Sequence, residues 1–230
     1  MRRDLAERYR RVLGRAATHA GPLTRVLDVG CGIGNFLELA SGDGLQATGV
    51  DVEPRAIAAA RARGLDAHLS AELDGALPDG SVDALTLWDV IEHVADPLAL
   101  VAGLVPKLRP GGVVIVETPD AEFPARALVR LIDSATFGRV KWAELLYYLE
   151  HKTYFTARGL ELLFRRAGLV PLETLHENSP RAKTARLLAW TAGTGSRAAG
   201  LLGPAWPYLD RLTRRVGRTN KLIALAVRPG

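Results

Sequence analysis

The stretch VLDVGCGIGN, residues 26–35, sets glycines at 30, 32 and 34 directly behind a short apolar run, and Asp51 closes the next apolar run, ATGVD. Val26, Leu27 and Val29 predict a buried strand. Glycines just after it make a turn where backbone comes close to a ligand with no side chains between. An acidic residue at the end of the following strand, about 20 residues on, can accept hydrogen bonds from two ribose hydroxyls. Gly30 and Asp51 have that spacing, 51 − 30 = 21 residues. The pairing points to an α/β protein whose first strand-to-helix turn cradles a nucleotide-type molecule; the glycines taken alone also fit a tight strand-to-helix turn in any α/β protein.

The glycine spacing then separates two kinds of ligand. A dinucleotide site takes Gly-x-Gly-x-x-Gly, whose third glycine lets the helix pack on the strand while the helix N-terminus faces a pyrophosphate. Here the third glycine stands at 34, and position 35 is Asn35. Asp28 places a carboxylate where a pyrophosphate is repelled and an ammonium or sulfonium is attracted. On these residues the chain resembles the class I S-adenosylmethionine-dependent methyltransferases, whose first motif is an acidic residue followed by Gly-x-Gly-x-Gly. The apolar run 83–88 followed by Asp89-Val90-Ile91-Glu92-His93 is similar to that family's fourth motif. Leu108-Arg109-Pro110-Gly111-Gly112, leading into Val113 to Val116, is similar to its Leu-(Lys/Arg)-Pro-Gly-Gly signature.

The resemblance implies a fold, a cofactor and a site. The fold is a Rossmann-like, seven-stranded, mostly parallel sheet with helices on both faces and a helical insertion over the substrate; its last strand is antiparallel and inserts beside the fifth. The cofactor is S-adenosylmethionine, leaving as S-adenosylhomocysteine. By motif position Asp28, Gly30, Cys31, Gly32 and Asn35 surround the methionine part and the ribose edge, Asp51 and Val52 take ribose and adenine, Glu72 flanks adenine, and Asp89 lies near the methionine end. Over most of its length the chain is also similar to the ubiquinone-biosynthesis O-methyltransferases. Two other classes compete: a nucleotide-binding module without catalysis, and an NAD-dependent oxidoreductase. The latter would want glycine at position 35, where Asn35 stands.

A chain of 230 residues suits one domain with a complete core. Within it, 1–22 reads as an N-terminal helix, 121–150 as a helical roof and 178–219 as a basic amphipathic segment before the last strand. The single cysteine, Cys31, excludes an internal disulfide and fits a reducing compartment. The charged N-terminus lacks a signal-peptide core, and no stretch approaches the roughly 20 apolar residues of a membrane span. The expected location is the cytoplasm.

Charge is uneven. Residues 1–150 carry 16 basic and 21 acidic side chains, net −5, whereas 151–230 carry 14 and 4, net +10. Trp206, Leu209, Leu212 and Val216 share one helical face, with Arg211, Arg214, Arg215 and Arg218 around it. That pattern fits a helix lying on a membrane surface through 180–219, and equally a helix packed on the domain. No recognised nucleic-acid motif accompanies the charge, and no feature sets the oligomeric state.

Along the chain, 4–19 reads as an amphipathic helix with Leu5, Tyr9, Val12 and Leu13 inward, covering the cofactor side of the sheet. Strands are expected at 25–29, 46–50, near 67–69, at 83–88 and at 112–118, alternating with helices that start at Asn35, near Pro54 and about Pro97. The roof displays Phe123, Phe137, Trp142, Tyr147 and Tyr148 as exposed aromatics beside the substrate. Thr156 caps a helix with Leu160, Leu163, Phe164 and Ala167 inward and Gly168 as its stop. Strands near 169–175 and at 221–227 complete the pattern.

Methyl transfer from a sulfonium is an in-line displacement, so the protein mainly supplies proximity and orientation. For an oxygen acceptor on a small molecule a base is also useful. His93, following the fourth strand, is the leading candidate and His151 the second. Asp89, Glu92, His93 and His151 are also suitable ligands for a divalent ion that would hold a vicinal diol. The set is similar to the metal site of the small-RNA 2′-O-methyltransferases, with Asp89 where those have Glu. The metal is an open alternative rather than an assignment. His19, His68 and His176 offer no partner at useful spacing.

Overall fold

In the computed structural model, residues 3–135, 150–179 and 219–230 are described, with Tyr208, Arg211, Thr213 and Arg215 between the last two stretches. Seven strands form one sheet: β1 (Arg25–Val29), β2 (Gln46–Asp51), β3 (Asp66–Leu69), β4 (Val82–Trp88), β5 (Leu108–Pro119), β6 (Val170–Glu177) and β7 (Lys221–Val227). Their order is β3-β2-β1-β4-β5-β7-β6. β1 to β5 pair in parallel, and β7 runs antiparallel between β5 and β6. The antiparallel last strand beside the fifth is as the family resemblance implies. The order reverses between β1 and β4, which makes the carboxyl ends of those two strands the crevice where such sheets bind ligands.

The central strands are apolar throughout because both faces are covered. On one face Leu27, Leu85, Leu87, Val114 and Val116 pack with α5 (Pro97–Leu104) and with Leu160, Leu163 and Phe164 of α7 (Ala157–Arg166). On the other, Val26, Ala84, Val113, Ile115, Ile223 and Leu225 pack with Tyr9, Val12, Leu13 and Ala16 of α1 (Arg3–Ala20) and with Phe36 and Leu37 of α2 (Asn35–Gly42). β5 alternates its side chains between the two faces, as the pleat requires.

Local chemistry sets the helix starts. Pro54 opens α3 (Pro54–Ala62), whose cap is the Glu53 carboxylate accepting from the Arg55 N–H at 3.1 Å. Asp96 accepts from the Ala99 N–H at 2.9 Å ahead of Pro97. Thr156 accepts from the Gly159 N–H at 3.0 Å, and Gly168 (φ 80°) ends α7. Leu73–Ala76 forms the short α4, and α6 (Pro124–Ala135) is the described part of the roof.

One expectation is corrected here. Phe123 is buried, not an exposed roof aromatic; its N–H turns back to the Asp120 carbonyl in the turn that precedes α6. α1 lies against β5 and β7, and its Tyr9 ring meets Phe36 at 5.2 Å and Trp88 at 4.5 Å. Phe137, Trp142, Tyr147, Tyr148, Trp206, Leu209, Leu212 and Val216 lie outside the described residues.

Candidate active site

The turn after β1 is tied to β2. Gly30 and Cys31 N–H groups both donate to the Val50 carbonyl, at 2.8 and 3.1 Å. Gly30 (φ 72°) has no room for a side chain, since a Cβ there would lie 2.5 Å from a Val90 methyl. Gly34 (φ 82°) is the left-handed residue from which α2 starts. At Gly32 a Cβ would meet no atom within 4 Å, so the middle of the turn faces open space. The Asp51 carboxylate spans this turn and the next: Oδ2 accepts from the Gly32 N–H at 2.8 Å and Oδ1 from the Glu53 N–H at 2.9 Å. Val52 beside it is 83% exposed, an apolar face with nothing on it.

Other residues of the expected donor site have neighbours of their own. Asp28 is buried, accepting the Thr86 hydroxyl at 2.7 Å. Loss of solvation, against which Thr86 works, raises its pKa to about 7. Asp28 is therefore an interior carboxyl group at the end of β1, with its neighbour Thr86 supplied by β4. Cys31 is buried against Gly49 and its thiol is pushed up to about 12 by burial, which makes it a packing residue with an unreactive sulfur. Asn35 is exposed at the start of α2, 3.5 Å from an Arg63 nitrogen. Glu72 accepts from the Leu69 N–H at 3.1 Å and pairs with Arg61 at 3.0 Å, which hold its carboxyl below the ordinary range.

Beyond β4 the chain turns sharply. His93 N–H donates to the Val90 carbonyl at 2.9 Å, which brings Glu92 and His93 to the end of the sheet. Buried Glu92 accepts the Thr118 hydroxyl at 2.9 Å, and its carbonyl accepts N–H bonds from Lys152 and Thr153 at 2.8 and 3.2 Å. Those bonds draw the segment 150–154 across the site. The His151 ring stands edge-on to His93, centroids 4.6 Å apart, and the Arg126 guanidinium of α6 lies over the Tyr154 ring at 4.1 Å. Ligand atoms of Glu92, His93 and His151 all lie within 4.8 Å of one another. His93 Nδ1 is 3.2 Å from the Glu150 carbonyl. A carbonyl only accepts, so Nδ1 carries the hydrogen and Nε2 of the neutral ring is left as the proton acceptor.

Asp89 is not part of that cluster. It has φ 56° and pairs with the buried Lys221 at the head of β7. Lys221 Nζ is also 3.7 Å from Glu117, which Arg8 of α1 meets at 3.4 Å. Burial, then the charge of Arg8, pull the Lys221 pKa well below the ordinary lysine value. Neither Lys221 nor Arg8 was expected; a lysine opening the run KLIALAV and an arginine beside the inward Tyr9 were the available signs. The three remaining histidines each have a carboxylate neighbour, a correction to the expectation of none: His19 with Glu173 at 3.1 Å, His68 with Asp66 at 2.7 Å, and His176 with Asp120 at 3.7 Å.

This fold and turn define an α/β protein with a nucleotide-type crevice and an imidazole pair at its mouth. A family model described as a methyltransferase domain matches residues 1–174. The ubiquinone biosynthesis O-methyltransferase of Xanthomonas axonopodis pv. citri is 30% identical over 215 residues, covering 89% of this chain and 76% of that protein. That of Xanthomonas campestris pv. campestris is 38% identical over 120 residues, 49% of this chain and 50% of that protein, so the chain spans about half the length of the curated relative matched there. A SAM-dependent methyltransferase structure from Archaeoglobus fulgidus superposes with a TM-score of 0.60 at 19% identity, covering 96% of this chain and 94% of that one. The chain belongs to the S-adenosylmethionine-dependent methyltransferase family.

Proposed function

We propose that this chain transfers the methyl group of S-adenosylmethionine to a hydroxyl oxygen of a small molecule. The acceptor class is a lipophilic phenol or quinone precursor, a sugar or a natural product. The observation that carries the reading is the Glu92–His93–His151 cluster at the end of β4, one strand from the glycine turn. The O-methyltransferase names of the relatives agree with it.

The residues present fit the donor. Asp51 already accepts two backbone N–H bonds, and a carboxylate has about four acceptor positions, leaving two for ribose hydroxyls. The open middle of the turn at Gly32 and exposed Val52 give the donor backbone and an apolar face; we assign Asn35, Glu72 and Asp89 to its rim. Bound there, S-adenosylmethionine supplies an electrophilic methyl on a good leaving group. The chain's own work is to align the acceptor and take its proton, for which His93 Nε2 is oriented by Glu150 and neighboured by His151.

Titration calorimetry with S-adenosylhomocysteine and, separately, NAD tests the cofactor. Micromolar binding of the first alone, lost in Asp51→Ala, is expected; preference for NAD, or no binding, overturns the reading. His93→Ala should then lower kcat about a hundredfold or more with Kd for S-adenosylhomocysteine unchanged.

A second reading rests on the donor set itself. One carboxylate and two imidazoles within 4.8 Å suit a divalent ion, which would lower the pKa of a bound hydroxyl. Turnover that falls on chelation and returns with added divalent cation supports it, and indifference to chelation excludes it. No helix among the described residues is long and apolar enough to cross a membrane. We place the enzyme in the cytoplasm, and vesicle flotation with and without 180–219 tests contact of that segment with a membrane.

A further inference from the structure

We propose that Lys221 is a positioning residue. Its ammonium, carried to the carboxyl end of the sheet by the antiparallel β7, fixes the Asp89 carboxylate at the donor site, and Arg8 of α1 completes the hold through Glu117. The inference rests on the donor site proposed above.

Three observations carry it. The first is the placement of charge. Asp89 and Glu117 bring two carboxylates to the ends of neighbouring strands, and the Asp89 N–H donates to the Glu117 carbonyl at 3.0 Å. Lys221 stands between these side chains, paired with Asp89 and 3.7 Å from Glu117, while Arg8 meets Glu117 at 3.4 Å and Glu177 of β6 at 3.1 Å. The side chains of Arg8, Glu117 and Lys221 are 4–7% exposed, whereas that of Asp89 is 29% exposed. The buried chain of charges therefore opens toward solvent at Asp89, on the ligand side.

The second is cost. Removing a charge from water costs several kcal/mol even after relaxation, and a well-packed apolar residue often serves stability as well or better. The rest of β7, LIALAV, is apolar, and a buried charge at its head needs a reason beyond packing. The third is the backbone. Asp89 is the only non-glycine residue with positive φ among the described residues. Such a conformation persists where the surroundings over-determine it, and it clusters at functional sites. Here its backbone is held by Glu117 and its side chain by Lys221, while α1 reaches the preceding residue through Tyr9 on Trp88.

The test is a cycle on the full chain with Lys221→Met, Asp89→Asn and the double variant, read by Kd for S-adenosylhomocysteine and by thermal midpoint. Asparagine tolerates the left-handed backbone and needs no counter-charge. Each single variant should weaken binding about tenfold, and the double no more than the weaker-binding single, a coupling of the size contacting residues show. Arg8→Met removes one of the cations that hold Glu117, which strengthens its pull on Lys221, so it should weaken binding in the wild-type background and have no effect beside Asp89→Asn; it serves if Lys221→Met does not fold. A lowered midpoint with unchanged Kd in Lys221→Met and Arg8→Met, or additive losses in the double variant, overturns the inference and leaves Lys221 a structural staple. Wild-type protein that binds no S-adenosylhomocysteine overturns the donor reading and this inference with it.

Discussion

Asp28 shows how a carboxyl group can be recognised in a motif while its surroundings stay unread. Its place before the glycines was legible; its burial beside Thr86 was not, because the neighbour comes from β4, 58 residues away. The burial has a pH consequence. Asp28 titrates near pH 7 in the folded chain against 3.8 ordinarily, so between those values the folded state binds more protons than the unfolded one. Its contribution to stability is therefore full below about pH 4 and is lost as pH rises to about 7, at up to about 1.4 kcal/mol per unit. Asp28→Asn keeps an acceptor for Thr86 and removes this titration. Denaturant unfolding from pH 4 to 8 should give the variant a flatter profile than the wild type over that window. Asp51 and His93 were readable because each closes a motif at the end of a strand, although Gly32 and Glu150, which meet their side chains, lie 19 and 57 residues away; Lys221 and Arg8 belong to no such motif.

At the scale of elements, capping and periodicity explain most of what could be read. Helix α7 is the clearest case: Thr156, the inward Leu160, Leu163 and Phe164, and Gly168 all play the parts their positions suggest. Thr156→Ala deletes the acceptor for the Gly159 N–H and should cost about 1 kcal/mol, measured as a lower urea midpoint with an unchanged slope. Because α7 lies in the core cluster that includes Phe155, the loss should also loosen segment 150–156, which carries His151. Helix α1 was half legible. Its apolar stripe gave the inward face, but Arg8 on that face meets Glu117 and Glu177, and a buried arginine reads as surface in any pattern based on hydrophobicity alone.

At the scale of the molecule, β7 is the element on which the architecture turns. Ile223 sits at its centre, opposite Glu117 of β5 and Leu175 of β6, fully buried. Ile223→Ala should cost about 2–5 kcal/mol by transfer and cavity terms, with the denaturant slope retained if the sheet unfolds as one unit. The same strand carries Lys221 to Asp89. Strand insertion thus serves packing along its length and the site at its head.

The sequence by itself determined the alternation of strands and helices, the glycine turn with Asp51, and the histidine after β4, because each depends on contacts within one turn or one crossover. Tertiary structure alone decided which face each charge meets. It gathered Glu92, His93 and His151 through backbone bonds from Glu92 to 152–153, buried Asp28 against Thr86, and seated Lys221 between two carboxylates. The physical reason is common to all three. A buried charge is stable only with a partner, and the partner's distance in space is set by strand order, which local sequence does not encode.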